Sequence, residues 1–100
     1  MDVLTGKNKR FLRSLGQSLS PAAAIGKGGL SGQAVENISR LLADRELIKI
    51  KLPEGPQRKR IAPELADVVG ATCVGVVGRT ALLYRPNDDL DPDKRINFPR

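Results

Sequence analysis

The stretch AAAIGKGGLSGQ, residues 22–33, places four of the ten glycines of the chain and one lysine between an apolar run and an amphipathic segment. Residues 22–25 are short and apolar, which is typical of a buried strand. Ser31 is a favoured N-cap residue, and the apolar spacing after it predicts a helix over about residues 32–44. The polar face of that helix carries Gln33, Glu36, Asn37, Arg40 and Asp44. The stretch therefore predicts a strand that turns through residues 26–29 into a helix.

A second strand follows this helix. The stretch ELIKIKL, residues 46–52, alternates near its end, with apolar and basic side chains on opposite faces: Ile48, Ile50 and Leu52 against Lys49 and Lys51. This alternation predicts a half-buried strand. A strand–helix–strand unit places its two strands parallel in one sheet. We expect the apolar side chains to lie under the helices and the two lysines to be exposed on an open face.

Two further helices are predicted on either side of this unit. Thr5 is a suitable N-cap for a helix over about residues 6–18. The apolar face of that helix carries Phe11, Leu12, Leu15 and Leu19, and cations lie on the opposite side. Pro63 suits the first turn of a third helix that reaches about Val69.

The last two apolar stretches predict a β-hairpin. TCVGVV and TALLYR, residues 72–77 and 80–85, indicate strands joined across Gly78 and Arg79. We expect Pro86 to end the fold. The predicted architecture is a single compact α/β domain over residues 1–86, with element order α-β-α-β-α-β-β and a four-stranded mixed sheet whose helices pack mainly on one face. A C-terminal tail follows over residues 87–100.

The charge of the chain is positive and unevenly placed. The net charge is +6, and twelve of the 17 Lys and Arg residues lie within residues 1–60, with five of the 11 Asp and Glu residues. Such asymmetry suits a polyanionic partner, although a role in solubility alone stays open. No apolar run is long enough to span a membrane, and residues 1–11 do not resemble a signal peptide. We expect a cytoplasmic protein without a membrane partner.

The composition argues against an enzyme. The chain has no histidine and one cysteine, so the usual general base and a structural zinc site are both missing. Cys73 lies in an apolar strand and is expected to pack as a small apolar residue. The acidic stretch DDLDPD, residues 88–93, lacks the glycine and the final glutamate of a calcium loop and is expected to be solvated. We expect no catalysis, no cofactor and no metal.

The glycine-rich loop between the first strand and the second helix is the main candidate site. A strand that turns into a helix needs special backbone angles, which explains one or two glycines. Three of them, Gly26, Gly28 and Gly29, with Lys27 between, also let a large ligand approach the backbone at a helix N-terminus that favours anions. The nucleotide-binding fingerprints are absent. The pattern G-x-x-G matches the loop that clamps a nucleic-acid backbone in KH-type domains.

Basic side chains outside the loop are further candidates for RNA contact. On the first helix Lys9, Arg10 and Arg13 lie opposite the apolar face, and on the second strand Lys49 and Lys51 lie on the predicted open face. In order along the chain the candidates are Lys7, Lys9, Arg10, Arg13, Lys49, Lys51 and Arg79.

Four motifs in order resemble one known family. LTGKNKRFLRSLGQSLSPAAAIGKGGLS (4–31), ELIKIKL (46–52), GRTALLYRP (78–86) and RINFPR (95–100) are similar to the CRM domain, the chloroplast RNA splicing and ribosome maturation family. The tail motif resembles that of the bacterial stand-alone, YhbY-like members. The resemblance implies an RNA-binding domain shaped like the C-terminal domain of translation initiation factor three, acting on precursors of the large ribosomal subunit. It also implies that residues 26–29 form the family's conserved loop.

One departure from the family concerns the third helix. The family's helix begins at about residue 57, whereas an interior proline at Pro63 would interrupt it. The directions of Arg58, Lys59 and Arg60 therefore stay open.

The main functional hypothesis is a monomeric, non-catalytic protein that binds ribosomal RNA during large-subunit assembly through the G-x-x-G loop and a basic surface. The alternative is a protein-interaction subunit held on ribosomal particles mainly by protein contacts. A small enzyme acting on phosphorylated substrates would rest on the glycine loop alone.

Overall fold

A computed structural model describes residues 4–99, and these form three α-helices and one four-stranded mixed sheet in the predicted order. The bounds are α1 Gly6–Gly16, β1 Ala23–Ala24, α2 Gly32–Asp44, β2 Leu47–Lys51, α3 Arg58–Val69, β3 Thr72–Val77 and β4 Thr80–Tyr84. A short 3₁₀ helix, Pro92–Lys94, follows. The first three residues of the predicted domain and the last residue of the predicted tail, Arg100, lie outside the described residues.

The sheet has the order β1-β2-β4-β3. β1 is parallel to β2, with Ala23 opposite Ile50, and β4 runs antiparallel to both β2 and β3. The predicted hairpin is confirmed: Gly78, with φ +59°, is the first of two residues that join its strands. A positive φ at this position suits a tight hairpin turn, which favours glycine there.

The two faces of the sheet carry separate apolar clusters. α2 and α3 cover one face, where Ile48, Ile50 and Leu52 of the second strand segment are buried as predicted. The other face is not fully open, because α1 and the C-terminal segment pack on it through Leu12, Tyr84 and Phe98, among others. Two of the three helices thus share one face. Lys51 is exposed, but Lys49 is only half-exposed because it lies on the face that α1 partly covers.

The third helix differs from the expectation. It begins at Arg58, and Pro63 is its sixth residue rather than part of its first turn. A proline at this position leaves the carbonyl of Lys59, four residues earlier, without its helical donor. Lys59 is in the exposed first turn, where water reaches that carbonyl, so the helix tolerates the proline. The first turn therefore consists of Arg58, Lys59 and Arg60.

The chain continues to pack after Pro86, so the expectation that the fold ends there was wrong. Glu46 is buried, and its carboxylate accepts hydrogen bonds from the backbone N–H groups of Asn87 at 2.8 Å and Ile96 at 2.6 Å. The ring of Phe98 lies 5.7 Å from that of Tyr84, edge to face. Residues 87–99 are thus held against the domain, although the acidic side chains of this segment are exposed as predicted.

Candidate nucleic-acid interface

The G-x-x-G loop is an exposed turn between β1 and α2. The N–H of Gly29 donates to the carbonyl of Gly26 at 3.0 Å, and Lys27 at its tip is exposed. The hydroxyl of Ser31 then accepts from the N–H of Ala34 at 3.1 Å and caps α2, as predicted. The chain therefore presents a short run of backbone directly before a helix N-terminus, which is a favourable place for an anion.

The three loop glycines are subject to different structural constraints. Gly29 has φ +76°, a left-handed conformation in which a residue with a side chain would be strained. Gly26 and Gly28 lie outside that region, and a Cβ on either one would meet no atom within 4 Å. Nothing inside the folded chain therefore requires glycine at these two positions. Because these two residues have no side chains, a ligand can approach the loop backbone directly from solvent.

Lys51 and Arg79 lie beside this loop. The N–H of Ile25, next to Gly26, donates to the carbonyl of Lys51 at 2.8 Å, and the N–H of Leu52 donates to the carbonyl of Arg79 at 2.6 Å. Three neighbouring backbone segments therefore meet at one end of the sheet. The guanidinium of Arg79 is 3.3 Å from the carboxylate of Glu54, which offsets part of its charge.

Both helices on this face begin at the same end of the sheet. Because β1 and β2 are parallel, the segments that follow them leave from one edge, and each leads into a helix, α2 or α3. The first turn of α3 carries three cations with no ion pair among the described residues: Arg58, Lys59 and Arg60. Their direction could not be predicted from the sequence. We call residues 26–29, Lys51, 53–60 and 78–79 together the loop end.

The electrostatics of the loop end favour a polyanion. Cations at a helix N-terminus oppose the helix dipole, so the first turn of α3 is electrostatically unfavourable without an anionic neighbour. Lys27 and Lys51 likewise form no ion pair within the chain as described. Ligands of open α/β sheets bind at the carboxyl ends of parallel strands, which is where this surface lies.

The basic residues of α1 lie elsewhere. Gly16 packs on Leu82, whereas Phe11, nearer the start of α1, lies against Phe98, which packs on Tyr84 at the opposite end of β2 from Lys51. Lys7, Lys9 and Arg10 therefore do not join the loop end.

Two other predicted cations, Arg13 and Lys49, share a separate groove between α1 and the hairpin. Arg13 has a structural task there: its guanidinium donates to the carbonyl of Val74 at 3.0 Å. Val74 is the extra residue where the pairing of β3 and β4 shifts register, so this bond satisfies a carbonyl in a β-bulge.

A cleft adjoins the loop on its α2 side. It has a volume of about 610 Å³, with loop backbone on one wall and the exposed face of α2 on the other. The α2 wall carries Gln33, Glu36, Asn37 and Arg40. The sequence placed these four residues on the polar face of the helix, but only the turn of the chain at residues 26–29 brings them against the loop.

Residues 4–99 contain no cluster of acidic, cysteine or histidine side chains suited to a metal ion, and none of the helices in this range has the length and apolarity needed to span a bilayer. Cys73 is half-buried against the core, and burial raises the pKa of its thiol. A raised pKa opposes formation of the reactive thiolate.

Comparison with known proteins identifies the family. The CRS1 / YhbY (CRM) domain matches residues 4–85. The chain belongs to the CRS1/YhbY (CRM) domain family. This confirms the resemblance read from the four sequence motifs, and it places the glycine loop, α2 and the β3–β4 hairpin within the CRM domain.

Relatives of this CRM protein cover nearly its whole length. Probable RNA-binding protein YqeI of Bacillus subtilis is 33% identical over 99 residues, covering 97% of this chain and 100% of the relative. Probable RNA-binding protein PA4753 of Pseudomonas aeruginosa is 32% identical over 97 residues, covering 95% and 91%. The solution structure of the hypothetical protein SAV1595 of Staphylococcus aureus, described as a candidate RNA-binding protein, superposes with a TM-score of 0.80 at 33% identity, covering 97% and 100%.

Proposed function

We propose that this CRM protein is a non-catalytic, monomeric RNA-binding protein of the cytoplasm, and that it binds ribosomal RNA during assembly of the large ribosomal subunit. In this proposal the backbone of residues 26–29 contacts the RNA phosphates, and the cations of the loop end extend the contact. The names of the relatives support RNA as the partner. The family resemblance is the source of the ribosomal assignment.

The observation that carries the proposal is the pair of glycines at positions 26 and 28. A glycine loses more conformational freedom on folding than any other residue, so it is unfavourable where the fold does not need it. Neither its φ angle nor a neighbouring atom requires glycine at Gly26 or Gly28. A ligand that lies against the backbone would require it, and the N-terminus of α2 and Lys27 make that ligand an anion.

The charge of the loop end sets the expected salt dependence. Lys27, Lys51 and the three cations of the first turn of α3 make no ion pair within residues 4–99. If about four of them neutralise phosphates of single-stranded RNA, the logarithm of the binding constant falls with the logarithm of salt concentration with a slope of roughly −3. Contact through proteins alone would give no such RNA affinity.

The test compares two variants with equal changes in charge. Lys27→Asp/Gly28→Asp places acid where the phosphate would lie, and Lys94→Asp/Asn97→Asp makes the same change on exposed side chains of the C-terminal segment. Binding to a structured fragment of large-subunit RNA is measured across a salt series. We expect the loop variant to bind at least about tenfold more weakly with a shallower salt slope. Equal affinities of the two folded variants would contradict the proposal.

One observation favours the protein-interaction alternative. Val76 and Val77 are 36% and 75% exposed on β3, which is an edge strand of the sheet. An exposed apolar edge can pair with another chain. Val77→Lys should then weaken association with ribosomal particles while free RNA is bound as before. If the loop variant instead abolishes association and Val77→Lys has no effect, the particle is held through RNA.

A further inference from the structure

The wall of the cleft formed by α2 is not used by the proposed phosphate contact. That contact engages the loop backbone and the cations of the loop end, whereas α2 faces the same space with amide, carboxylate and guanidinium groups. The chemistry of this wall indicates what part of a bound RNA would enter the cleft.

The two carboxamides of the wall are free to bind. Gln33 and Asn37 are exposed, and neither side chain has a hydrogen-bond partner within residues 4–99. They lie four residues apart on one helix face, so their side chains are neighbours about 6 Å apart along the axis. Each offers a donor and an acceptor side by side.

The charge of the wall argues against a second phosphate site. Arg40 is 3.0 Å from Glu36 and forms an ion pair with it, so the wall has no net charge. A carboxylate beside the cleft repels phosphate. The neutral part of a nucleotide, its base, therefore fits this wall better than its phosphate does.

The shape of the cleft also suits a flat group. Ala24, Ala34 and the loop glycines are its small residues, and no aromatic or large aliphatic side chain of the described part of the protein lines the space between the loop and α2. A strand whose phosphates lie on the loop would place its bases to one side, within reach of α2. Bases can be read this way only where the RNA is unpaired.

We propose that this cleft receives an unpaired adenine of the bound RNA and that the carboxamides of Asn37 and Gln33 hydrogen-bond its edge. The inference rests on the proposed function, because the phosphates must lie on the loop. Unpaired adenine carries an acceptor on each side of its N6 amino group, N7 on the Hoogsteen edge and N1 on the Watson–Crick edge, so it can pair with two carboxamides, each through one donor and one acceptor. The loop thus supplies affinity for any RNA, and α2 supplies a preference among single-stranded sequences.

The experiment separates the base from the backbone. Fluorescence anisotropy measures binding of the full chain to 12-nucleotide strands of adenosine, of uridine and of abasic ribose phosphate, at one salt concentration. We expect the parent protein to bind the adenosine strand about tenfold more tightly than the abasic strand, which is the discrimination of one good bidentate contact. Gln33→Ala/Asn37→Ala should lose this preference and bind the abasic strand as the parent does.

A matched control removes the same two side-chain types elsewhere. Gln17→Ala/Asn97→Ala changes exposed residues of the α1 end and the C-terminal segment, and it should keep the preference. Circular dichroism checks folding, and alanine favours the helical state at positions 33 and 37. Retention of the preference by Gln33→Ala/Asn37→Ala, or an equal preference for uridine, would overturn the inference.

The same strands distinguish this failure from failure of the proposed function. A parent protein that binds structured ribosomal RNA but none of the three single strands would overturn the adenine site and leave the function standing. A parent protein that binds no RNA at all would overturn both.

Discussion

Glu46 holds the C-terminal segment against the domain, and its substitution should destabilise the fold measurably. The residue is 2% exposed. One carboxylate oxygen accepts from the N–H of Ile96 at 2.6 Å, and the other accepts from the N–H of Asn87 at 2.8 Å and from Nε of Arg95 at 3.3 Å. Both oxygens are therefore acceptors. In Glu46→Gln the carboxamide keeps one acceptor oxygen and places an NH₂ group against the other set of donors.

The magnitude follows from the donors that lose their partner. A buried donor left without an acceptor costs about 1–3 kcal/mol, so Glu46→Gln should lower the free energy of unfolding by roughly 2 kcal/mol. For a domain of this size that corresponds to a fall of roughly 10 °C in the midpoint of thermal unfolding. Glu46→Ala removes every one of these bonds and should cost about 3 kcal/mol, limited because the segment can lift off and hydrate its N–H groups.

The assay combines urea unfolding with hydrogen exchange. The amides of Asn87 and Ile96 should lose protection in Glu46→Gln before the core strands do, because the segment opens locally. Glu64→Gln, an exposed glutamate of α3, serves as the control and should change stability by less than about 0.5 kcal/mol. Equal stability of the two variants, or unchanged protection of the two amides, would show that Glu46 does not hold the C-terminal segment.

Three further predictions concern glycine positions and the thiol. Gly16→Ala should lose about 1–3 kcal/mol in urea unfolding, because its Cβ would lie within 3.0 Å of three side-chain carbons of Leu82; unchanged stability would show that Leu82 moves aside. Gly28→Ala should leave the free energy of unfolding unchanged or raise it by up to about 1 kcal/mol, and yet weaken RNA binding; a loss of stability with normal binding would show that Gly28 serves the fold and not RNA binding. Burial raises the pKa of the Cys73 thiol above that of the unfolded chain, which is about 8.5. The free energy of unfolding should therefore be unaffected by this thiol below that pH and should decrease above it, where the thiol ionises in the unfolded chain first. The fall between pH 8 and pH 10 should be smaller in Cys73→Ala, and an equal fall in both proteins would contradict it.

Local signals in the sequence were sufficient for most elements of the fold. α2 has the predicted bounds because an N-cap serine and a clear apolar period act within one segment. The hairpin across Gly78 was predictable because a short turn leaves few alternatives. The start of α3 was not, because a rule about proline in isolated helices does not include the solvent that reaches the Lys59 carbonyl.

Contacts between distant parts of the chain could not be read from the sequence. Ile96 and Phe98 lie in a stretch with no apolar period; Glu46, which accepts from the N–H of Ile96, is 50 residues before it, and Phe98 packs on Phe11 and Tyr84. The candidate site was likewise predictable only in part. The sequence showed which residues are basic, but the parallel pairing of β1 and β2 decides that Lys51 and Arg58 join the loop whereas Lys9 does not.

Contact between the bare backbone of residues 26–29 and RNA can be followed residue by residue through the backbone amide resonances of the protein during titration with a fragment of large-subunit RNA. We expect the largest shifts on residues 26–29 and the first turn of α2, and we expect them to diminish as salt is raised. Saturable binding with shifts confined to α1 or to the β3 edge, and with no shift on residues 26–29, would contradict this expectation.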